Sequence, residues 1–196
     1  GQYEQMKIYA RNKEEARANM KLLLAKLRDD PTSWQGRSRE ICRHIESLPS
    51  WRNARVVAAF LPLSSEPQIQ ALWSRPEGPA LCFLRIREGQ GTLRRIDDRQ
   101  ALRRADWKLA DPQFDQAPAV SLGDVDLLLA PGLAFTRGGV RLGRGGGHYD
   151  RLLADRSPRT KVVGVCFEIQ MVEELPFEAH DHKMDAIVTE SGLIRP

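Results

Sequence analysis

The fold of this chain is decided by residues 124–155, which read DVDLLLAPGLAFTRGGVRLGRGGGHYDRLLAD. The apolar run at 124–130 predicts a buried strand, and the run that starts near Tyr149 predicts a helix that continues to Asp155. A glycine-rich segment joins the two. Because α/β proteins place ligands at such strand-to-helix connections, this stretch predicts an α/β fold with a ligand site in the connecting loop.

The loop has the composition of an anion-binding site. Gly143, Gly145, Gly146 and Gly147 surround Arg144, and consecutive glycines can turn several backbone N–H groups toward one anion. Arginine adds a charged fork that matches phosphate oxygens. A flexible surface turn is the ordinary alternative for a glycine-rich run. The strand before the loop and the many arginines around it favour a phosphate site.

Two common nucleotide-binding motifs are absent from the sequence. The dinucleotide fingerprint G-x-G-x-x-G would require glycine three residues after Gly145, where the chain has His148. The G-K-[S/T] of a Walker A loop does not occur. The loop must therefore bind phosphate by another pattern.

Outside this loop, short apolar strands alternate with helices. Three- and four-residue spacing of apolar residues predicts a helix at 11–28, and a second helix is expected at 33–48 after the break at Asp30 and Pro31. Strands are predicted at 55–61, 80–86, 92–96, 161–167 and 186–189, and a helix is expected to start at 68–73. This alternation predicts a single three-layer α/β/α domain over residues 1–196, with a largely parallel sheet and a helical N-terminal extension at about 11–48.

Composition narrows the class of protein. The 196 residues carry a formal net charge of +4 and a pI near 9.1, which suits a small polyanionic ligand or nucleic acid. Aromatic residues seldom accompany the basic runs, so nucleic acid is not expected. Three separated cysteines, without C-x-x-C, indicate reduced core thiols in a cytoplasmic protein. No apolar run reaches the roughly 18–20 residues of a membrane span, and we expect a monomer.

Four segments of the chain carry a family resemblance. The sequence RLGRGGGHYD at 141–150, preceded by PGLAF, resembles the RLG-x-G-x-G-YYD signature of the 5-formyltetrahydrofolate cyclo-ligase family. KEEAR at 13–17 is similar to the family's amino-terminal K-x-x-x-R, and FLPLSSE at 60–66 to its strand-and-glutamate segment. HDHKMDAIVTE at 180–190 resembles the closing element that carries a second metal aspartate. The segments follow the family's order over nearly the whole chain.

The resemblance implies an ATP- and Mg²⁺-dependent ligase that cyclises 5-formyltetrahydrofolate to 5,10-methenyltetrahydrofolate and releases ADP and phosphate. It implies that ATP is bound by Lys13, Arg17, Arg141, Gly143, Arg144, Gly145, Gly146, Gly147 and Tyr149. It implies that the folate is bound by Leu61, Glu66, Trp107, His148 and Tyr149. Arg144 and Tyr149 are the expected catalytic residues, and Asp150 and Asp185 the expected metal ligands.

Several of these positions would also suit purely structural roles, judged by residue type alone. Lys13 and Arg17 lie four residues apart on a predicted helix and would suit a solvated surface. Asp150 could serve as a helix cap, and Leu61 and Trp107 as core residues. Glu66 could be a loop glutamate or a charge at a helix start.

The chain departs from the family pattern at two positions. His148 stands where the family has tyrosine, and Ile69 stands where many members have threonine. These departures keep open an alternative function, namely a paralogue that binds folate or nucleotide but has lost or altered turnover.

Overall fold

The computed structural model describes residues 11–104, 112–178 and 181–196. Within these residues the strands are β1 Val56–Ala59, β2 Ala80–Arg87, β3 Gln90–Ile96, β4 Ala119–Val120, β5 Leu127–Ala130, β6 Ala134–Thr136, β7 Arg141–Leu142, β8 Lys161–Val165, β9 Met171–Val172, β10 Ala186–Thr189 and β11 Gly192–Ile194. The α-helices are α1 Lys13–Arg28, α2 Pro31–Glu46, α3 Pro49–Arg52, α4 Arg99–Arg104 and α5 His148–Ala154.

The main sheet is parallel at its centre and antiparallel at its edges. Its strand order is β11-β10-β8-β5-β1-β2-β3-β4, and the five strands from β10 to β2 run parallel to one another. β11, β3 and β4 join as antiparallel edge strands. The predicted largely parallel sheet is confirmed.

Helices cover both faces of this sheet. Leu127 and Leu129 of β5 pack into the same core as the buried residues of α1 and α2, whereas Leu128 and Ala130 pack with Leu153 of α5 on the other face. Burial on both faces explains why the central strands are continuous apolar runs without alternation. The two amino-terminal helices therefore form one layer of the fold.

The boundary between α1 and α2 follows from local chemistry. The Asn12 side chain accepts a hydrogen bond from the backbone N–H of Glu15 and caps α1. Asp30 caps α2 by accepting from the Ser33 N–H, and Pro31 occupies the first turn, where its missing N–H costs nothing. The break predicted at Asp30 and Pro31 is thus the start of the second helix.

The structure differs from the sequence prediction in two connecting segments. The helix expected at 68–73 is a single 3₁₀ turn, Gln70–Trp73. Residues 134–142 form a short antiparallel hairpin of β6 and β7, and β6 also pairs in parallel with β9 as a second, three-stranded sheet. Strands of two or three residues are too short to produce a periodic pattern in the sequence.

The predicted reduced core thiols are confirmed. Cys42, Cys82 and Cys166 are unpaired and buried. Burial raises the pKa of Cys42 and of Cys82 to about 12 and also raises that of Cys166, which favours the thiol over the nucleophilic thiolate. In the described part of the chain, no helix combines the length and apolarity that a membrane crossing requires.

Candidate functional site

A cavity of about 400 Å³ opens where β1, β2 and β5 end. Because these strands are parallel, their carboxyl ends meet at one edge of the sheet, which is the usual ligand edge of α/β folds. The cavity brings together many residues from the predicted site, namely Lys13, Arg17, Leu61, Glu66, Arg141, Gly143, Arg144, Gly145, Gly146, Gly147, His148, Tyr149 and Asp150. Apolar side chains of Phe60, Leu63, Leu84 and Ile86 complete one wall.

The glycine loop needs glycine for its backbone shape. Gly145 has φ +113° and Gly147 has φ +71°, both in the region that residues with a Cβ rarely adopt. Gly147 is also the N-cap residue of α5, immediately before its first residue, His148. The loop therefore turns back sharply before the helix, and its backbone lies on the cavity wall.

Arg17 connects the first helix to this loop. Its Nε donates a hydrogen bond of 2.9 Å to the carbonyl oxygen of Gly143. Its guanidinium lies 3.7 Å from the point where a side chain on Gly145 would begin. The amino-terminal layer of the fold thus supplies a cation to the glycine loop.

Arg144 connects the loop to the segment after β1. Its Nη2 donates to Ser65 Oγ at 2.8 Å, and its Nε lies 3.6 Å from Glu66 Oε2. That Nε is buried and has no hydrogen bond within the described residues. A buried cationic donor that makes no hydrogen bond is costly, so this N–H is a candidate ligand contact in addition to its ion pair with Glu66.

Arg141 braces the cavity from within the protein. Its side chain is buried, and its Nε donates to the carbonyl oxygen of Pro131 at 2.6 Å. Its Nη1 lies 3.8 Å from Asp150 Oδ1, and its guanidinium carbon lies 5.0 Å from the centre of the Tyr149 ring. Burial lowers the pKa of Arg141, while Asp150 favours its charged form. Arg141 therefore orders the residues around it, and a direct contact with ATP stays a prediction.

Tyr149 and Glu66 are buried polar groups on the cavity wall. The Tyr149 hydroxyl has no hydrogen-bond partner among the described residues, and burial raises its pKa. The Glu66 side chain accepts the Leu63 N–H at 2.8 Å, and the residue is 4% exposed. Burial raises the pKa of Glu66, although the Leu63 N–H and Arg144 oppose this shift. Perturbed groups gathered in a cavity are typical of functional sites.

His148 also lines the cavity. Its Nδ1 lies 2.9 Å from Nη2 of Arg151. Since an arginine can only donate, Nδ1 accepts and the neutral ring carries its hydrogen on Nε2. Partial burial, with a smaller effect from Arg151, lowers the pKa of His148.

The predicted metal pair is not assembled. Asp185 lies outside the cavity. It immediately precedes β10, which runs parallel to β8, and it therefore lies near the amino end of β8. The cavity is at the carboxyl ends of the parallel strands, which is the opposite end of the sheet. Its Oδ2 accepts from the Val162 N–H at 2.8 Å and from Arg156 Nη2 at 2.6 Å. The assignment of Asp185 as a metal ligand is therefore corrected, since its carboxylate stabilises the sheet.

Acidic residues from the same closing segment reach Lys13 instead. Lys13 Nζ lies 3.0 Å from Asp181 Oδ2 and 3.7 Å from Glu178 Oε1, and the Asp181 side chain is 5% exposed. Asp181 was not among the predicted site residues; it lies four residues before Asp185 in the sequence, and only the fold distinguishes the two. Trp107, the remaining predicted folate contact, lies outside the described residues.

The fold and the cavity define a class of protein. It is an α/β protein with a cationic glycine loop, a buried carboxylate and an apolar wall at the carboxyl edge of a parallel sheet. Such a site suits a ligand that combines phosphate groups with an apolar body.

Comparison with known proteins identifies the family. The sequence profile of the 5-formyltetrahydrofolate cyclo-ligase family matches residues 9–190. The 5-formyltetrahydrofolate cyclo-ligase of Mycolicibacterium smegmatis is 31% identical over 156 residues, which cover 74% of this chain and 80% of that protein. The enzyme of the same name from Escherichia coli is 30% identical over 169 residues, 83% of this chain and 93% of that protein.

A solved structure agrees with these relatives. The 5,10-methenyltetrahydrofolate synthetase of Aquifex aeolicus superposes with a TM-score of 0.77 at 28% identity, covering 93% of this chain and 92% of that one. The chain belongs to the 5-formyltetrahydrofolate cyclo-ligase family.

Proposed function

We propose that this chain catalyses the ATP-dependent cyclisation of 5-formyltetrahydrofolate to 5,10-methenyltetrahydrofolate, with release of ADP and phosphate. The observation that carries the proposal is the cavity, in which Arg17 contacts the glycine loop and Arg144 extends from that loop to buried Glu66, beside an apolar wall. Membership of the cyclo-ligase family supports the same reaction. Reduced folate and ATP are the partners that such a site would take.

The reaction needs phosphate chemistry because a formamide oxygen is a poor leaving group. The formyl oxygen would attack the γ-phosphorus of ATP, and the bond to the bridging β–γ oxygen would break to release ADP. N10 of the folate would then attack the activated formyl carbon and lose its proton to solvent. Cleavage of the carbon–oxygen bond releases phosphate and leaves the five-membered ring. Catalysis of this kind consists mainly of positioning and charge neutralisation.

The cationic side chains would hold the nucleotide. Arg17, Arg144 and Lys13 reach the cavity from α1 and from the glycine loop, and loop residues 145–147 line the same cavity. Because Arg144 Nε has no hydrogen bond within the described residues, it can donate to a phosphoryl oxygen without breaking an existing bond. This supports Arg144 as a catalytic residue that stabilises charge on the transferred group.

The folate would occupy the side of the cavity with apolar and uncharged groups. Leu61 belongs to the apolar wall, and Tyr149 has a buried hydroxyl that could donate to the substrate. Glu66, held by the Leu63 N–H, would accept from the N–H groups of the pterin ring. His148, with its hydrogen on Nε2, offers a further donor at the cavity wall.

Part of the same proposal is one Mg²⁺ ion, which a single protein carboxylate would hold. The Asp150 side chain is 34% exposed on the cavity wall, with Arg141 Nη1 at 3.8 Å from its Oδ1, whereas the Asp181 side chain is 5% exposed and lies 3.0 Å from Lys13 Nζ. The described residues contain no group of three His, Cys, Asp or Glu side chains suited to a metal, and Mg²⁺ bound to phosphates needs only one or two carboxylates. Asp150 would hold the ion, which when bound neutralises phosphate charge.

The proposal is tested by incubating the purified chain with 5-formyltetrahydrofolate and Mg²⁺, with and without ATP. Formation of the methenyl product, followed by its near-ultraviolet absorbance, should require ATP and should release one ADP per product. Nucleotide binding without product at saturating substrates would instead identify a binding paralogue. A cytoplasmic monomer is part of the same proposal, and sedimentation of the chain at assay concentration tests its oligomeric state.

A further inference from the structure

Gln170 is a fully buried polar side chain that lies behind the cavity. It ends the 3₁₀ turn at 168–170, between β8 and β9, and is 0% exposed. Its Nε2 donates to the carbonyl oxygens of Gly132 and Leu133 at 2.8 and 3.1 Å. Its Oε1 accepts the N–H of Phe167 at 2.8 Å. Both amide hydrogens and the amide oxygen are therefore satisfied by backbone groups.

These bonds hold the segment that forms part of the cavity wall. Pro131 and Gly132 line the cavity, and the Pro131 carbonyl accepts from Nε of Arg141. Three consecutive carbonyl oxygens, at 131–133, are thus bonded to two buried side chains. A free carbonyl oxygen would repel phosphate. Because buried N–H donors are bonded to these three carbonyl oxygens, the oxygens repel an anion in the adjacent space less.

The same segment fixes the cation behind the glycine loop. Arg141 is tied to Pro131, and its guanidinium lies 3.1 Å from the point where a side chain on Gly143 would begin. Its Nη1 also lies 3.8 Å from Asp150. A shift of the 131–133 backbone would therefore move Arg141 and, through it, both the loop and Asp150.

We propose that Gln170 is a positioning residue for nucleotide binding, which acts by fixing the backbone at 131–133 and thereby the guanidinium of Arg141. Gln170 itself does not line the cavity. The proposal rests on the proposed function only in naming the ligand as an adenine nucleotide.

The first test compares two substitutions that remove buried hydrogen bonds. Gln170→Met should weaken binding of ADP with Mg²⁺ at least tenfold by calorimetry, and should raise the KM for ATP more than it lowers kcat. Thr160→Val is the matched control, because Thr160 is also 0% exposed and its hydroxyl donates to the Leu122 and Val125 carbonyls away from the cavity. The control should lose stability but keep ADP affinity within twofold. Equal ADP affinity in Gln170→Met and wild type would overturn the proposal.

A second substitution separates positioning from a general loss of packing. In Gln170→Glu, the ionised carboxylate can only accept hydrogen bonds and would repel the carbonyl oxygens of Gly132 and Leu133. The protonated carboxyl group can donate one hydrogen bond to one of them. Burial raises the pKa of a carboxyl group. ADP affinity of this variant should therefore recover as the pH falls toward 5, relative to wild type at the same pH. An affinity deficit that does not change with pH would count against the proposal.

A third measurement uses the wild-type chain without ligand, so it stands even if Gln170→Met does not fold. The Nε–H of Arg141 should exchange slowly with solvent by NMR, and rapid exchange would contradict the proposed fixation. Failure of the wild type to bind ADP, together with slow Arg141 exchange, would reject the proposed nucleotide function but leave the positioning of Arg141 intact.

Discussion

Replacement of Arg17 by alanine should weaken nucleotide binding strongly while leaving the fold intact. Arg17 donates to the Gly143 carbonyl at 2.9 Å, and its guanidinium faces the cavity beside Gly145. The substitution removes the anchor of α1 on the loop and one cationic donor to phosphate. A hydrogen bond from a charged donor contributes about 1.5–3 kcal/mol. At 1.4 kcal/mol per factor of ten, loss of the phosphate contact corresponds to a roughly 10- to 150-fold increase in Kd.

The measurement is calorimetric titration of ADP with Mg²⁺ into wild type, Arg17→Ala and Arg17→Lys. Lysine keeps the charge but lacks the planar fork, so its Kd should fall between the other two. Arg11→Ala is the matched control, since Arg11 is exposed and pairs only with Glu15 among the described residues. Arg17→Ala with a Kd within twofold of wild type would refute the assignment of Arg17 to the nucleotide.

Three other substitutions test separate parts of the structure. Asp150→Asn should reduce Mg²⁺-supported turnover by roughly 100-fold, because a metal ion contributes several kcal/mol to transition-state stabilisation, and should lower the unfolding temperature, because buried Arg141 loses the nearby carboxylate; normal turnover would remove Asp150 from the metal site. Glu66→Gln should flatten the pH dependence of the free energy of unfolding. In the wild type, burial raises the pKa of Glu66 above its usual 4.5. The protonated form therefore stabilises the fold at low pH, and this stability is lost as the pH rises through the raised pKa. Urea unfolding measures the change in unfolding free energy between pH 4 and pH 7. An equal change in the variant and the wild type would contradict this reasoning. Gly164→Ala would place a Cβ 2.5 Å from the Phe135 ring. It should lower the free energy of unfolding by about 1–3 kcal/mol, which corresponds to a roughly 2–12 °C lower Tm. Gly123→Ala is the control, because its Cβ would make only ordinary contacts, and it should unfold at nearly the wild-type temperature.

The fold was predictable where burial leaves a simple pattern. β5 and β8 are buried on both faces, so they appear as continuous apolar runs, and α1 shows its buried stripe at three- and four-residue spacing. The hairpin of β6 and β7 was not predictable, because strands of three and two residues depend on pairing with β9 and with each other. Local sequence does not encode such partners.

The site was predictable where chemistry is concentrated in one segment. The glycine loop contains both the glycines that its backbone conformation requires and the arginines that give it positive charge. The structure places this loop on the cavity, as expected. The choice between Asp181 and Asp185 depends on which edge of the sheet each residue reaches, and that is set by the parallel pairing of β10 with β8. Gln170 had no recognisable signal, since a buried glutamine and an exposed one look the same in a sequence.

The three arginine side chains of the cavity are each held by a hydrogen bond to another protein group. Arg17 is held by the Gly143 carbonyl, Arg144 by Ser65 and Arg141 by Pro131. Their rotamers would therefore need little further ordering when a nucleotide binds, which lowers the entropic cost of association.

Lys13 differs from these arginines because its main partner is an anion. Its ammonium lies 3.0 Å from the buried carboxylate of Asp181, and a phosphate would compete for the same charge. Removing Lys13 would deprive the buried Asp181 carboxylate of this counterion, which is costly. Asp181→Asn should therefore remove the nearer of the two carboxylates beside Lys13, leaving Glu178 Oε1 at 3.7 Å, and tighten the binding of ADP measured without Mg²⁺. Weaker ADP binding in that variant would show that the pair acts together on the nucleotide and that Asp181 does not restrain Lys13.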